Sequence, residues 1–177
     1  EDRRFYQHKG VDAVGVGRAI VKNLAGASHE GASTITMQVA RNFFLSSDKT
    51  LRRKISEVFL SYKIEKNLNK DQIFELYLNQ IYLGQRAYGF GAASLVYYGR
   101  PLDKLTLAES ALLAGLPKAP TNYNPFTNPK RAIQRQHEVL KNMLRYEFID
   151  QKAFDEAINQ PLHFKESRQS SNDHSLK

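Results

Sequence analysis

Apolar positions recur along this chain with a helical period. Leu51, Ile55, Val58, Phe59 and Tyr62 fall at i, i+4, i+7, i+8 and i+11, one face of an amphipathic helix. Asn69 followed by Gln72 predicts a capping box that opens the next helix, with Ile73, Leu76 and Tyr77 on its inner side and Gly84 ending it. Thr106 and Glu109 form a second box ahead of Leu107 to Leu116, where Pro117 and Pro120 stop the run. Asn128-Pro129 supplies a cap and an N1 proline for a long helix carrying Ile133, Leu140, Met143 and Leu144. Asp150 caps a last short helix with Phe154 and Ile158 inside. Period-2 alternation is scarce and no Asn-Gly or Asp-Gly hairpin signal occurs. The pattern predicts a mainly α fold in one domain.

Length and composition change that picture little. The 177 residues, 41% of them hydrophobic, suffice for one core. The exception is Glu166 to Ser175, which contains no apolar residue and reads as a linker or a frayed end. The absence of cysteine removes disulfides and thiol chemistry. No apolar run is long enough to span a membrane. Charge says more: 26 Lys plus Arg against 18 Asp plus Glu leave a formal +8. Such a balance attracts phosphate-bearing partners, whether nucleic acid, anionic membrane or a phosphorylated substrate.

Three regions carry polar groups that core packing does not require. Glu1-Asp2-x-x-Phe5-x-x-His8-x-Gly10 is either an acid/base site, with apolar neighbours lifting a carboxyl pKa, or an acidic turn that favours a helix dipole. Gly31 to Asn42, with Ser33, Thr34, Gln38 and Arg41, is either an anion-binding loop at a helix start or simply a capped start. It is not a Walker loop. Arg52-Arg53-Lys54-Ile55-Ser56-Glu57 places Arg53 and Glu57 one turn apart. They pair for ~0.2–0.5 kcal/mol, or the cluster binds a phosphate while Glu57 orients it or helps hold a divalent cation. The aromatic run Tyr77 to Tyr98, with Gly84, Gly89, Gly91 and Gly99, lacks the strand–turn–helix context of a dinucleotide fingerprint and reads as a helix connection. Residue chemistry reaches as far as a phosphorylated or glycosidic substrate.

At these same regions the sequence resembles the family 51 glycosyltransferases, the domain shared by class A penicillin-binding proteins and monofunctional peptidoglycan transglycosylases. The pattern Glu-Asp-x-x-Phe-x-x-His-x-Gly stands complete from Glu1 to Gly10, and Arg-Ala-x-x-x-Asn from Arg18 to Asn23. Gly-x-Ser-Thr-Ile-Thr-Gln-Gln stands from Gly31 to Gln38, with Met37 replacing the first glutamine. Arg53-Lys54-x-x-Glu57, Lys70 to Asn79 and Gly115 to Pro120 follow in family order.

The resemblance implies a lysozyme-like helical fold with a globular lobe and a smaller, membrane-facing lobe. It implies a transglycosylase domain over residues 1–163, truncated at its N-terminus, and a polar linker over 164–177 toward a transpeptidase domain. The implied substrates are lipid II and the growing glycan strand, joined by an inverting β-1,4 transfer that releases undecaprenyl pyrophosphate. Glu1 would be the base. Arg41, Arg53 and Lys54 would meet the leaving group, and Glu57 would position that cluster or a divalent metal, magnesium or manganese. Ser33, Thr34, Gln38, Asn42, Asn79 and Tyr82 would line or brace the cleft. No organic cofactor is expected, and no nucleic-acid partner. The expected location is the outer face of the bacterial cytoplasmic membrane, with an N-terminal anchor outside this chain. A lysozyme-like hydrolase would have no use for the cations beside Glu57. A nucleic-acid binder would leave Glu1-Asp2 and Ser33-Thr34 without a role.

Overall fold

The computed structural model describes residues 2, 4–10, 33–45 and 50–165. Glu1, the Arg18–Asn23 motif and the tail beyond Lys165 therefore lie outside the described residues. The chain divides into two compact units, Glu1–Gln80 and Ile81–Lys177. Among the described residues the structure is helical, with a single antiparallel bridge between Tyr82 and Tyr88. The mainly α expectation holds.

The first unit contains α1 (Ile35–Phe44), α2 (Leu51–Asn67) and α3 (Lys70–Gln80). Each begins where a side chain satisfies a free amide of the first turn. Thr34 accepts from Met37 N at 3.1 Å and Thr50 from Arg53 N at 3.2 Å. Asn69 and Gln72 close the predicted box reciprocally, at 2.8 and 3.0 Å. Helix α1 packs against both α2 and α3, burying Ile35, Met37, Val39, Ala40, Ile73 and Tyr77.

Helix α2 departs from the usual arrangement. Its apolar stripe exists, but it faces outward: Leu51 is 78% exposed and Phe59 71%. The residues α2 buries are Glu57, Ser61 and Ile64.

The second unit holds α4 (Phe90–Tyr98), α5 (Leu107–Gly115), α6 (Pro129–Arg145) and α7 (Gln151–Asn159), with short 3-10 turns at Leu102–Lys104 and Leu116–Lys118. The Thr106–Glu109 box forms as expected, and Asp150 caps α7 through Ala153 N at 2.8 Å. Pro129 opens α6, yet Asn128 makes no capping bond; its amide donates to Thr121 O instead, at 3.4 Å. Helices α5, α6 and α7 enclose a core of Ala108, Ala111, Leu140 and Ala157, flanked by Val139, Met143, Phe154 and Ile158.

Two boundaries differ from expectation. Helix α3 stops at Gln80, and Gly84 (φ +81°) opens the following turn rather than ending the helix. A side chain on Gly84 would meet the Tyr97 hydroxyl at 2.7 Å, and that hydroxyl donates to Leu83 O at 2.7 Å. The turn is closed by Ala87 N donating to Gly84 O, with Gln85 and Arg86 both at positive φ. It is a minimal hairpin built without the glycine or asparagine that sequence rules look for. Burial pushes the Tyr97 phenol well above the usual tyrosine range. The resemblance implied a linker that begins at residue 164, and so includes Phe164 and Lys165. Phe164 instead stacks on Tyr98, with ring centroids 5.4 Å apart, and Lys165 N donates to Tyr97 O at 2.8 Å.

Candidate functional site

The site grows from the inward face of α2. Glu57 is fully buried, and three cationic side chains surround its carboxylate. Lys54 Nζ donates to Oε2 at 3.1 Å from one turn earlier. Arg53 Nε lies 3.1 Å from Oε1, without the alignment of a hydrogen bond. Arg41 reaches over from α1, its Nη1 3.9 Å from Oε1. Lys54 also donates to the Ser33 hydroxyl, tying α2 to the residue that precedes the α1 cap.

Three positive charges on one negative leave an excess of two. The carboxylate is sealed, whereas the Lys54 and Arg41 side chains remain 40% and 33% exposed. Burying Glu57 alone would cost several kcal/mol; the cations offset that cost and are themselves held together by it. The result is a fixed cationic rim, able to receive a multiply charged anion such as a pyrophosphate.

The loop before α1 behaves differently from the anion-loop alternative. Thr34 uses its hydroxyl twice, accepting from Met37 N and donating to Gly10 O at 2.6 Å. The first amide of α1, Ile35 N, donates to Asp2 Oδ2 at 3.0 Å. The anion at this helix start is thus the chain's own carboxylate. His8 Nε2 meets the same Asp2 oxygen at 2.7 Å. Gly10, at φ +97°, is hemmed in by Ser61, whose atoms would stand 3.0–3.1 Å from an added Cβ.

Of the residues expected to act together, Ser33, Arg41, Arg53, Lys54 and Glu57 meet in one connected cluster. Thr34 is a brace. Gln38 is buried on α1 and Asn42 exposed beside Arg41. Asn79 is exposed near the end of α3. Tyr82 belongs to the second unit, 40% exposed, its ring 5.0 Å from that of Tyr88. Glu1 lies outside the described residues. Met37 is 3% exposed, so its thioether fills the core of the first unit where the family pattern has an amide.

Glu57 does not fit a divalent cation. Both of its oxygens face cationic nitrogens, which would repel a metal ion. No group of three or more His, Cys, Asp or Glu able to hold one gathers among the described residues. Glu65 was not visible in the sequence, and Thr36 only as a member of the motif from Gly31 to Gln38 with no role of its own. Both join the polar chain behind Asp2 and His8: Thr36 donates to Glu65 at 2.7 Å and Lys70 to the same oxygen at 2.6 Å. Glu65 sits among Lys63, Ile64 and Lys66, where no local pattern marks it. Lys70 was visible only as the first residue of a motif.

Comparison with known proteins identifies the family. A family model described as transglycosylase matches residues 1–144, and the chain belongs to the transglycosylase family. The resemblance read from the motifs is borne out. Penicillin-binding protein 1A of Neisseria cinerea is 58% identical over 165 residues, covering 93% of this chain and 21% of that protein. A Cupriavidus necator protein designated a transglycosylase is 59% identical over 162 residues, covering 92% of this chain and 70% of that one. The crystal structure of penicillin-binding protein 1A from Haemophilus influenzae superimposes with a TM-score of 0.54 at 32% identity, over 76% of this chain and 17% of that one. The chain thus spans about a fifth of the penicillin-binding protein 1A relatives it matches.

Proposed function

We propose that this domain polymerises lipid II into β-1,4-linked peptidoglycan strands, inverting the donor anomeric centre and releasing undecaprenyl pyrophosphate. The observation that carries the reading is the gathering of Arg41, Arg53 and Lys54 on the buried Glu57. A pyrophosphate leaving group gains charge as the glycosidic bond breaks, and cations already in place stabilise it without reorganising. A hydrolase acting on an uncharged sugar has no use for them. In this reading the Glu1 carboxylate takes the proton from the acceptor GlcNAc 4-hydroxyl. The freed oxygen attacks C1 of the donor MurNAc from the face opposite the pyrophosphate. Protonating the leaving group is unnecessary, so one base and a cationic clamp suffice. Glu57 spaces the three cations, and the charge a divalent metal would bring is carried by them.

A membrane surface is the proposed platform. Leu51, Ile55, Phe59 and Tyr62 of α2 and Phe43 and Phe44 of α1 are all exposed. Such a set of large apolar side chains on one small unit suits insertion among lipid headgroups. No helix among the described residues is long and apolar enough to cross a membrane. The match to much longer penicillin-binding relatives supports a parent protein anchored at the outer face of the cytoplasmic membrane, with a transpeptidase domain in the same chain.

The test is incubation of the full-length protein with labelled lipid II, comparing wild type with Glu1→Gln and with Arg41→Ala. Wild type is expected to yield lysozyme-sensitive polymer. Both variants should lose at least about 100-fold in kcat/KM. A Glu1→Gln enzyme as fast as wild type would remove the base from the mechanism, and a fast Arg41→Ala would remove the clamp.

A further inference from the structure

A buried polar chain runs behind the segment that carries the proposed base. Asp2 and His8 keep side-chain exposures of only 2% and 5%. Asp2 Oδ2 receives the His8 ring at 2.7 Å and the α1 amide of Ile35 at 3.0 Å. On the other ring nitrogen, Gly10 N donates to His8 Nδ1 at 3.0 Å, and Lys70 Nζ approaches it at 3.3 Å. A backbone N–H can only donate, so Nδ1 is the acceptor and the ring proton sits on Nε2, directed at Asp2. Lys70 is itself held by Glu65 at 2.6 Å and lies over the Phe5 ring, 4.5 Å from its centroid. Thr36 of α1 fixes Glu65 in turn. The segment from Asp2 to Gly10 is thereby pinned to α1 at both ends, through Asp2 to Ile35 and through Gly10 O to Thr34.

We propose that His8 and Lys70 are positioning residues for the carboxylate at residue 1. Lys70 sets the orientation of the His8 ring, His8 directs its Nε2 proton to Asp2, and Asp2, held to Ile35 N, is the residue that follows Glu1 in the chain. This inference rests on the reading of Glu1 as the base. The described contacts of Asp2, His8 and Lys70 run to one another and to Ile35, Gly10, Phe5 and Glu65, so the proposal assigns them to the attacking side of the reaction. Orientation of a base within a fraction of an ångström is worth large rate factors, which is why a polar network so costly to bury is kept there.

The test separates the two nitrogens of His8. A glutamine amide nitrogen reaches the place of Nε2 and can donate to Asp2; an asparagine oxygen replaces only the Nδ1 acceptor for Gly10. In full-length protein acting on lipid II, His8→Asn and Lys70→Met should lower kcat by about tenfold to a hundredfold with KM within about twofold, while His8→Gln stays within about threefold of wild type. Hydrogen exchange followed by mass spectrometry should show the Ile35 amide opening faster in His8→Asn but not in His8→Gln. Unchanged exchange over residues 129–159 identifies folded variants. The proposal is overturned if His8→Asn performs as well as His8→Gln, since closing the turn at Gly10 would then be all His8 does. It is equally overturned if KM rises while kcat holds. Glu1→Gln belongs in the same assay. Should it polymerise at the wild-type rate, the base reading has failed and the positioning role falls with it. If Glu1→Gln is dead and His8→Asn is not, the base reading stands and this inference alone is wrong.

Discussion

Helices α2 and α6 are both 17 residues long, and they bury opposite kinds of surface. Helix α6 follows the common rule: Ala132, Gln136 and Leu140 form an inward stripe, and Leu140 sits in the core of the second unit. Its one buried polar side chain, Gln136, donates to Ala108 O at 2.8 Å and leaves no charge to neutralise. Helix α2 turns a carboxylate inward and leaves Leu51, Ile55 and Phe59 outside. For folding alone this is a poor arrangement, because desolvating an ion pair often costs as much as it returns. The contrast separates a helix that stabilises from one that organises charge and presents an apolar face to something other than its own core.

Three substitutions sharpen that contrast. The largest effect is expected from Glu57→Ala, which leaves Arg41, Arg53 and Lys54 facing one another. Loss of about 4 kcal/mol in urea unfolding should accompany loss of polymerising activity. An activity loss without destabilisation would mean that solvent or rearrangement relieves the cations, and that the carboxylate is less sealed than its burial indicates. Leu140→Ala on α6 should cost about 3 kcal/mol through the cavity it opens. Any activity change in that variant should follow the fraction folded. The smallest effect on stability belongs to Phe59→Ser on α2, within about 0.5 kcal/mol, although flotation with phosphatidylglycerol vesicles should show weaker binding. If Phe59→Ser instead destabilises as much as Leu140→Ala, the outer face of α2 is packed interior and the membrane reading loses its support.

Much of this was legible from local pattern. The caps at Thr34, Asn69, Thr106 and Asp150 form as their spacing requires, because capping is settled within a single turn. Placing Lys54, Arg53 and Glu57 on one side of a helix also needs no more than its pitch. The apolar period of α2 was equally real. A period, however, says that a helix has two faces, not which of them meets the core.

The sequence by itself determined where helices begin, which side chains share a face, and which motifs could carry charge to a phosphate. Tertiary structure alone decided that Glu57 points inward, that Arg41 joins it from another helix, and that Glu65 and Lys70 stand behind His8. It decided as well that Met37 is core and that Phe164 packs onto Tyr98 rather than entering a linker. The physical reason is range: backbone capping and helical pitch act over about four residues. Burial is instead set by whichever element, however distant in the chain, arrives to exclude water.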